Sequence, residues 1–379
     1  MPLSTPRPSA AAAAAVAAAH DTQATAPEAV AAPLAPASGA KAPSLGPFKL
    51  VKWWAALGAV FLAFEVAVLA AWVASPLLHS VPTGATSPPL YMKIAIVAFE
   101  AGCIPAAIAC LYLFAVRPWR KTGRLTTDGA LTIAFATMWF GDPLSSYFGV
   151  WFTYNSWSAN LGSWLNAIPG ALAPAQPGRM LVEPLLIIPG VYVWVFVLTM
   201  FLGNWVMRAV QARRPRIGRV GLIVGCLVAM WIFDVVFEGL IFMPLGIWEY
   251  PGGWLNLFAG TYHQFPLSEM LTCGTLFTVI ASLRFFRNSH GETVAEHGIH
   301  LVKASNRAKD WLRVLAMIGV ANLALIVCYN LPNSLISTHV HAWPQDIKSR
   351  TYLNDGICGT DSMNVCYGAD ARAVKGNQP

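Results

Sequence analysis

Seven apolar stretches, at about residues 53–78, 91–116, 128–150, 181–207, 220–243, 263–283 and 311–335, leave this chain little choice of solvent. At about 1.5 Å of rise per residue, each can cross a hydrocarbon layer about 30 Å thick as a helix. Only 11% of the residues are charged, against about 25% in an average soluble domain. That deficit excludes a soluble globular enzyme, and a net charge of +7 does not make such a chain a nucleic-acid binder. The expected fold is all-α, a polytopic integral-membrane bundle of about seven transmembrane helices whose first partner is the lipid bilayer.

Residues 1–47 hold 18 Ala and 8 Pro and no aromatic side chain. They cannot bury enough apolar surface to offset their ordering entropy, so they are expected to be disordered. The alanine run 10–19 behind Arg7 resembles a short signal core. Alanine is only weakly apolar, however, and a full-length span follows. Orientation comes from the basic residues of the connections. The connections 117–126, 208–219 and 284–313 carry four, five and six Lys or Arg, and the alternate ones, 79–90, 151–180 and 244–262, carry only Arg179. The expected topology is a cytoplasmic N-terminus, a span domain over 48–335 and an extracytoplasmic tail over 336–379 at the plasma membrane. In that tail Cys358 and Cys366 are expected to form a disulfide, while Cys103, Cys110, Cys226, Cys273 and Cys328 read as small apolar residues within spans.

Acidic residues inside spans are costly unless paired or wetted, so each is a candidate site. Glu65, Glu100, Asp142, Glu183, Asp234, Glu238, Glu249 and Glu269 lie in or beside spans that are almost free of Lys and Arg. Asp142 falls about 21 Å from the inner start of its span, and Asp234 about 21 Å from Val220. Glu269 falls about 9 Å below the outer surface of the core. These depths coincide. Glu238 follows Asp234 by one turn on the same face, and Glu183 opens its span near the same level. The expected catalytic set is Asp142, Asp234 and Glu238, with Glu183 and Glu269 as orienting or second catalytic groups; unrelated packing hydrogen bonds are the bland alternative.

The connection 151–180 is too long and too aromatic for an ordinary loop, and is expected to close the cavity as a partly re-entrant lid. Its Asn155, Asn160 and Asn166 would be costly in lipid unless they lined a wet cavity. Tyr147, Trp151, Tyr154, Asn155, Asn160, Trp164, Trp248 and His263 are the expected substrate contacts, aromatic faces being suited to a cationic intermediate. No metal or other cofactor is expected. The histidines and acids of 284–310 (His290, His297, His300, Glu292, Glu296) match no closed zinc spacing and read as a solvated or interfacial segment, and His339 and His341 are equally weak. The last span has no Lys for a retinal Schiff base, no span holds a histidine pair for haem, and there is no Walker loop.

Gly141, Asp142, Pro143 and Tyr147, then Trp151, Phe152, Tyr154 and Asn155, then Asn160, Gly162, Ser163 and Trp164, then Glu183, Pro184, Leu185 and Leu186, form a pattern that resembles the AveC-like spirocyclase family. Glu238, Met243, Pro244, Leu245, Gly246, Trp248 and Tyr250, with Phe265, Pro266, Leu267 and Glu269, are similar to its second half. The resemblance covers about residues 50–360. It implies a multi-pass cyclase or dehydratase, cofactor-independent, acting on a lipophilic polyketide- or isoprenoid-like small molecule by spiroketal-type chemistry. Two other classes fit the same acids: a proton-coupled transporter or lipid or metabolite carrier, and a non-catalytic envelope assembly protein.

Overall fold

The computed structural model describes residues 47–339 and 343–358. The expectations for residues 1–46, for His341 and for the Cys358–Cys366 pairing lie outside the described residues, since Cys366 does. The helices are α1 (Pro47–Val73), α2 (Leu90–Cys110), α3 (Arg117–Thr122), α4 (Thr127–Met138), α5 (Ile188–Arg213), α6 (Arg219–Asp234), α7 (Leu267–Phe285), α8 (Asn306–Leu325) and α9 (Leu331–Ile336), then the short α10 (Gln345–Lys348) and α11 (Thr351–Asn354). π-helical turns join α2 to α3 (Leu111–Val116), extend α6 (Val235–Phe242) and join α8 to α9 (Ile326–Asn330). A 3₁₀ segment, Trp139–Ser146, extends α4.

Five helical rods are long and apolar enough to cross a membrane: Leu50–Val73, Leu90–Thr122, Ile188–Arg213, Arg219–Leu245 and Asn306–His339. The α4 rod falls short in length, its 12 residues giving way to the 3₁₀ segment, and the α7 rod in apolarity, which packing explains. Seven of the residues of α4, from Gly129 to Met138, are buried, and α7 buries Glu269, Thr272, Cys273 and Thr278 among its neighbours. A helix surrounded by helices has little lipid-facing surface to keep apolar, so its sequence can carry polar groups.

Prolines move the expected boundaries. Residues 181–187 are irregular before Pro189 opens α5, and Pro266 sits at the N-cap of α7, so Glu183 and His263 precede their helices. Pro143 lacks the amide an α-helix needs, and the chain tightens into the 3₁₀ segment that carries Asp142.

Close helix contacts rest on glycine. α1 runs along α8, where a Cβ on Gly58 would collide with the Leu315 carbonyl and one on Gly319 with the Trp54 carbonyl. α5 meets α2 through Gly190 against the Cys103 backbone. Such small-residue contacts let apolar helices approach closely when lipid offers no hydrophobic drive.

One end of the bundle is a cap of irregular chain. β1 (Thr153–Tyr154) pairs antiparallel with β4 (Trp248–Glu249), β2 (Ala175–Gln176) with β3 (Arg179–Met180), and β5 (Asn256–Leu257) with β6 (Phe265–Pro266). Thr153 ties the layers together, its hydroxyl oxygen lying 2.6 Å from Glu249 Oε1 and 2.5 Å from the Leu353 carbonyl, to one of which it donates. The asparagines expected in a wet cavity are instead bound to backbone. Asn155 donates to the Gly246 carbonyl (2.9 Å); Asn160 accepts from Val81 N (2.9 Å) and donates to Ser158 O (3.0 Å); Asn166 donates to Ala173 O (2.7 Å). Their polarity is spent on loop backbone that has no ladder of its own.

The opposite end is basic and held by ion pairs. Arg284 makes two hydrogen bonds of 2.8 Å to Asp128 and one to Asn204, and Arg313 bridges Glu296 and Asp310. In the loop 286–305, Glu292 accepts from Asn288 Nδ2 (2.8 Å) and from the amides of Gly298 (3.1 Å) and His300 (3.0 Å). Its carboxyl also lies 2.6 Å from His300 Nδ1. Burial acts to raise this carboxyl, but the donors outweigh it and hold Glu292 at about 2.

Two outcomes follow from this packing. Gly319→Val should weaken the docking of α1 by about 3 kcal/mol, the upper part of the usual overpacking range, read as a lower thermal midpoint in detergent. The Glu292 contribution is complete above its ordinary value of 4.5 and is lost as pH falls toward about 2. Amide exchange in 286–305, corrected for its intrinsic pH dependence, should therefore accelerate below pH about 4.5, and Glu292→Gln should remove that dependence.

Candidate active site

Beneath the cap, a cavity of about 130 Å³ opens among α2, α5, α6 and α7. Asp142, Asp234, Glu238 and Glu269 line it together, from three helical rods. The remaining polar lining is Tyr154, Tyr192, Tyr250, Tyr329 and Cys273. None of the lining residues is Lys, Arg or His. Phenylalanines, Trp194 and Trp248 complete the wall.

The acids have different company. Asp142, 5% exposed, accepts from Tyr154 Oη at 3.1 Å, with the Tyr192 phenol and the Glu183 carboxyl as neighbours. Glu183 stands one layer behind the wall; its Oε1 accepts from Ser163 (3.0 Å), and its Oε2 meets no ordinary donor. Two neighbouring carboxyls in an apolar interior can share one proton between them, so this pair is suited to carrying one.

Glu238 and Glu269 are built the other way. Glu238 Oε1 accepts from both Trp248 Nε1 (2.9 Å) and Tyr250 Oη (2.5 Å). Glu269 Oε2 accepts from both Trp151 Nε1 (2.9 Å) and Asn333 Nδ2 (3.0 Å), while Thr272 fixes Asn333 by donating to its Oδ1 (3.2 Å). In each case one oxygen collects two donors, the arrangement that suits an anion, and Glu269 Oε1 is left buried with no donor of its own. Asp234 closes α6 with Oδ2 likewise undonated, beside Cys273. Asp234, Glu238 and Cys273 bring one ligand atom each within 4.8 Å of one another, and they are the group of described residues able to hold a metal ion.

The other expected residues serve the frame. Trp151 is fully buried behind Glu269 rather than on the wall. Tyr147 donates to the Pro169 carbonyl (2.6 Å), and Trp164 is packed against Trp72 and Trp139 while donating to the Phe140 carbonyl (2.9 Å). His263 packs on Phe258 and Tyr262 in the cap, and Asn155 and Asn160 hold loops as described above. None of these six lines the cavity; of the expected contacts, Tyr154 and Trp248 do. Glu100 accepts from the Ala159 amide (2.7 Å), and Glu249 lies in the cap beside Asp355, where burial pushes both carboxyls well above the usual range. Tyr192 and Tyr329 escaped the sequence reading, and Tyr250 and Cys273 were seen there but not as cavity residues. The usable signal was a phenol placed within an otherwise apolar span, as at Tyr192 and Tyr329.

Fold and cavity together define a mostly helical protein with five helices fit to span a membrane and an acid-lined, cation-free chamber under a structured cap. The family model of spirocyclase AveC-like proteins matches residues 122–353, and the chain belongs to that family. The match takes in every acid of the cavity and the cap segments that hold them. No curated protein and no solved structure gives a significant match.

Proposed function

We propose that the protein is a membrane-embedded cyclase or dehydratase that closes rings on a lipophilic, polyketide- or isoprenoid-like substrate by carboxyl acid–base catalysis. Membership of a spirocyclase family supports a cyclase. The observation that carries the chemistry is the chamber lining: carboxyls, phenols and aromatic rings, with no cationic side chain. Such a lining favours a cation formed on the substrate and disfavours an anionic one.

The hydrogen bonds divide the labour. The Asp142–Glu183 unit, which carries a proton, protonates a departing hydroxyl, and the C–O bond breaks to give water and an oxocarbenium ion. Glu238 or Glu269, each held by two donors, takes the proton of the attacking hydroxyl as the new C–O bond forms. The sum is loss of one water with the protein's proton count unchanged, and the proton then returns across the chamber from Glu238 or Glu269 to the Asp142–Glu183 pair to reset the site. Loss of a carbon-bound proton to the same base instead would give the alkene, the dehydratase outcome. Asp234 and Cys273 stand beside Glu238 and adjust its charge. The scheme uses no cofactor.

In this reading the seven rods are seven spans, the basic end and residues 1–47 are cytoplasmic, and the cap and the tail 336–379 face outward at the plasma membrane. The excess of basic residues at one end supports that orientation.

The test is comparative metabolite profiling of cells with and without the gene, and with Asp142→Asn or Glu238→Gln at matched protein level. Expected is a precursor that differs from its product by one water, with turnover lowered about 10²–10³-fold in either variant, the range of a lost general acid or base. Unchanged turnover in Asp142→Asn would overturn the assignment of the acid. If only the distribution of an unaltered solute across the membrane changes, the protein is a transporter.

A further inference from the structure

The chamber is too small for the molecules it is proposed to convert. At about 130 Å³ it is below the roughly 150 Å³ of an engineered cavity that holds benzene, and far below the roughly 300–1,000 Å³ of sites that enclose a drug-sized ligand. Only the reacting end of a lipophilic substrate fits among the acids. The remainder has to leave through an opening.

The cap is closed except at Trp248, which is half-buried and stacks on Phe242 of the side wall. Tyr250, which lines the chamber, and Trp151 and Phe265, which back it, are at most 2% exposed, and their rings pack on one another. The side wall differs. α2 and α6 both pack on α5 and leave a strip of it between them. Phe99 of α2, Trp194 of α5, and Phe237 and Phe242 of the π-helical turn line the chamber there and are only half-buried. Their rings touch in series, with centroids 5.1 Å apart for Phe99–Phe242, 4.5 Å for Phe237–Phe242 and 6.1 Å for Trp194–Phe237. Outside them the surface is apolar and open, with Val97 51% and Leu240 48% exposed. The mouth thus faces the hydrocarbon, not water. The eight-residue π turn that carries Phe237 and Phe242 also carries Glu238, so the mouth and the base move as one element.

We propose that this aromatic mouth is a binding site for the apolar chain of the substrate, so that the protein acts on amphiphiles whose oxygenated end alone enters the chamber. The chain lies across Phe99, Trp194 and Phe242 and continues into the bilayer. The inference rests on the chamber being the reaction site, and extends that reading to the part of the substrate that does not react.

Two long-chain alkanols of sixteen carbons test it, one with a diazirine beside the hydroxyl and one with a diazirine at the far end of the chain. Each is photolysed with the full-length protein in phosphatidylcholine vesicles, and adducts are mapped by mass spectrometry. The hydroxyl-end probe should label chamber residues such as Tyr192 and Cys273, and the tail-end probe the segments of Phe99 and Phe242. Val191→Trp, which plugs the mouth from α5, should lower chamber labelling at least tenfold while labelling of lipid-facing Val66 stays constant, which shows that the variant is folded. Phe242→Ala should raise it. Adducts confined to the lipid-facing rim would mean annular lipid only and overturn the proposal, as would labelling indifferent to both variants. Labelling needs no turnover, so it stands or falls apart from the metabolite experiment: labelling without a product rejects the cyclase, and a product without chamber labelling rejects the mouth.

Discussion

Carboxyl groups placed in an apolar interior have to find donors, protons or cations, and the chamber wall here offers no lysine, arginine or histidine. The rest of the architecture answers that demand. The helices bring the acids, because a long apolar rod is the means of carrying a side chain to a set depth. Most of the donors come from the cap: Trp151, Tyr154, Trp248, Tyr250 and Ser163 all lie in irregular chain between helices. The cap is therefore not a cover laid over a finished site. Without it Glu238 loses both of its donors, Glu269 one of two, and Glu183 its hydroxyl partner.

The two ends of the bundle satisfy their acids by opposite means, and the difference bears on chemistry. At the basic end Asp128, Glu296 and Asp310 are matched by Arg284 and Arg313. A carboxylate clamped by a guanidinium is a strong joint and a poor acid or base. In the chamber neutral N–H and O–H donors take that place. They orient each carboxyl and moderate its charge without neutralising it, and on Glu238 and Glu269 they engage one oxygen and leave the second to the chamber. Phenols add a further property, since Tyr154 and Tyr192 can reorient their hydroxyls as the Asp142–Glu183 proton moves.

What could be read from the sequence follows the same division. Rods were legible because 1.5 Å per residue and a fixed hydrocarbon thickness leave little freedom, and the same arithmetic placed Asp142, Asp234 and Glu269 on one level with Glu238 one turn from it. Rod ends were displaced where proline intervened, at Pro143, Pro189 and Pro266. The cap was only half legible. Its aromatic content marked it as more than a loop. Yet an asparagine bound to backbone and an asparagine bound to water are the same letter, so Asn155 and Asn160 read as cavity residues when they are loop fasteners. Tyr250 was visible within the family-like pattern, but its bond to Glu238 depends on the β1–β4 pairing, a contact between residues nearly a hundred positions apart.

The π-helical turns are the remaining departure from regular geometry, and two of the three described sit at the chamber. Val235–Phe242 carries Glu238, and Ile326–Asn330 carries Tyr329. A π turn widens the helix by shifting each hydrogen bond from i+4 to i+5, which turns successive side chains through a smaller angle than an α-helix does. Within Val235–Phe242 this lets Glu238 look into the chamber while Phe237 and Phe242 both remain at its edge, where one another's rings fill the gap. A regular α-helix over the same residues would separate Phe237 and Phe242 by five residues at 100° each, placing them on different faces. The wider turn is thus what allows one short segment to supply a carboxyl and both rings of the wall beside it.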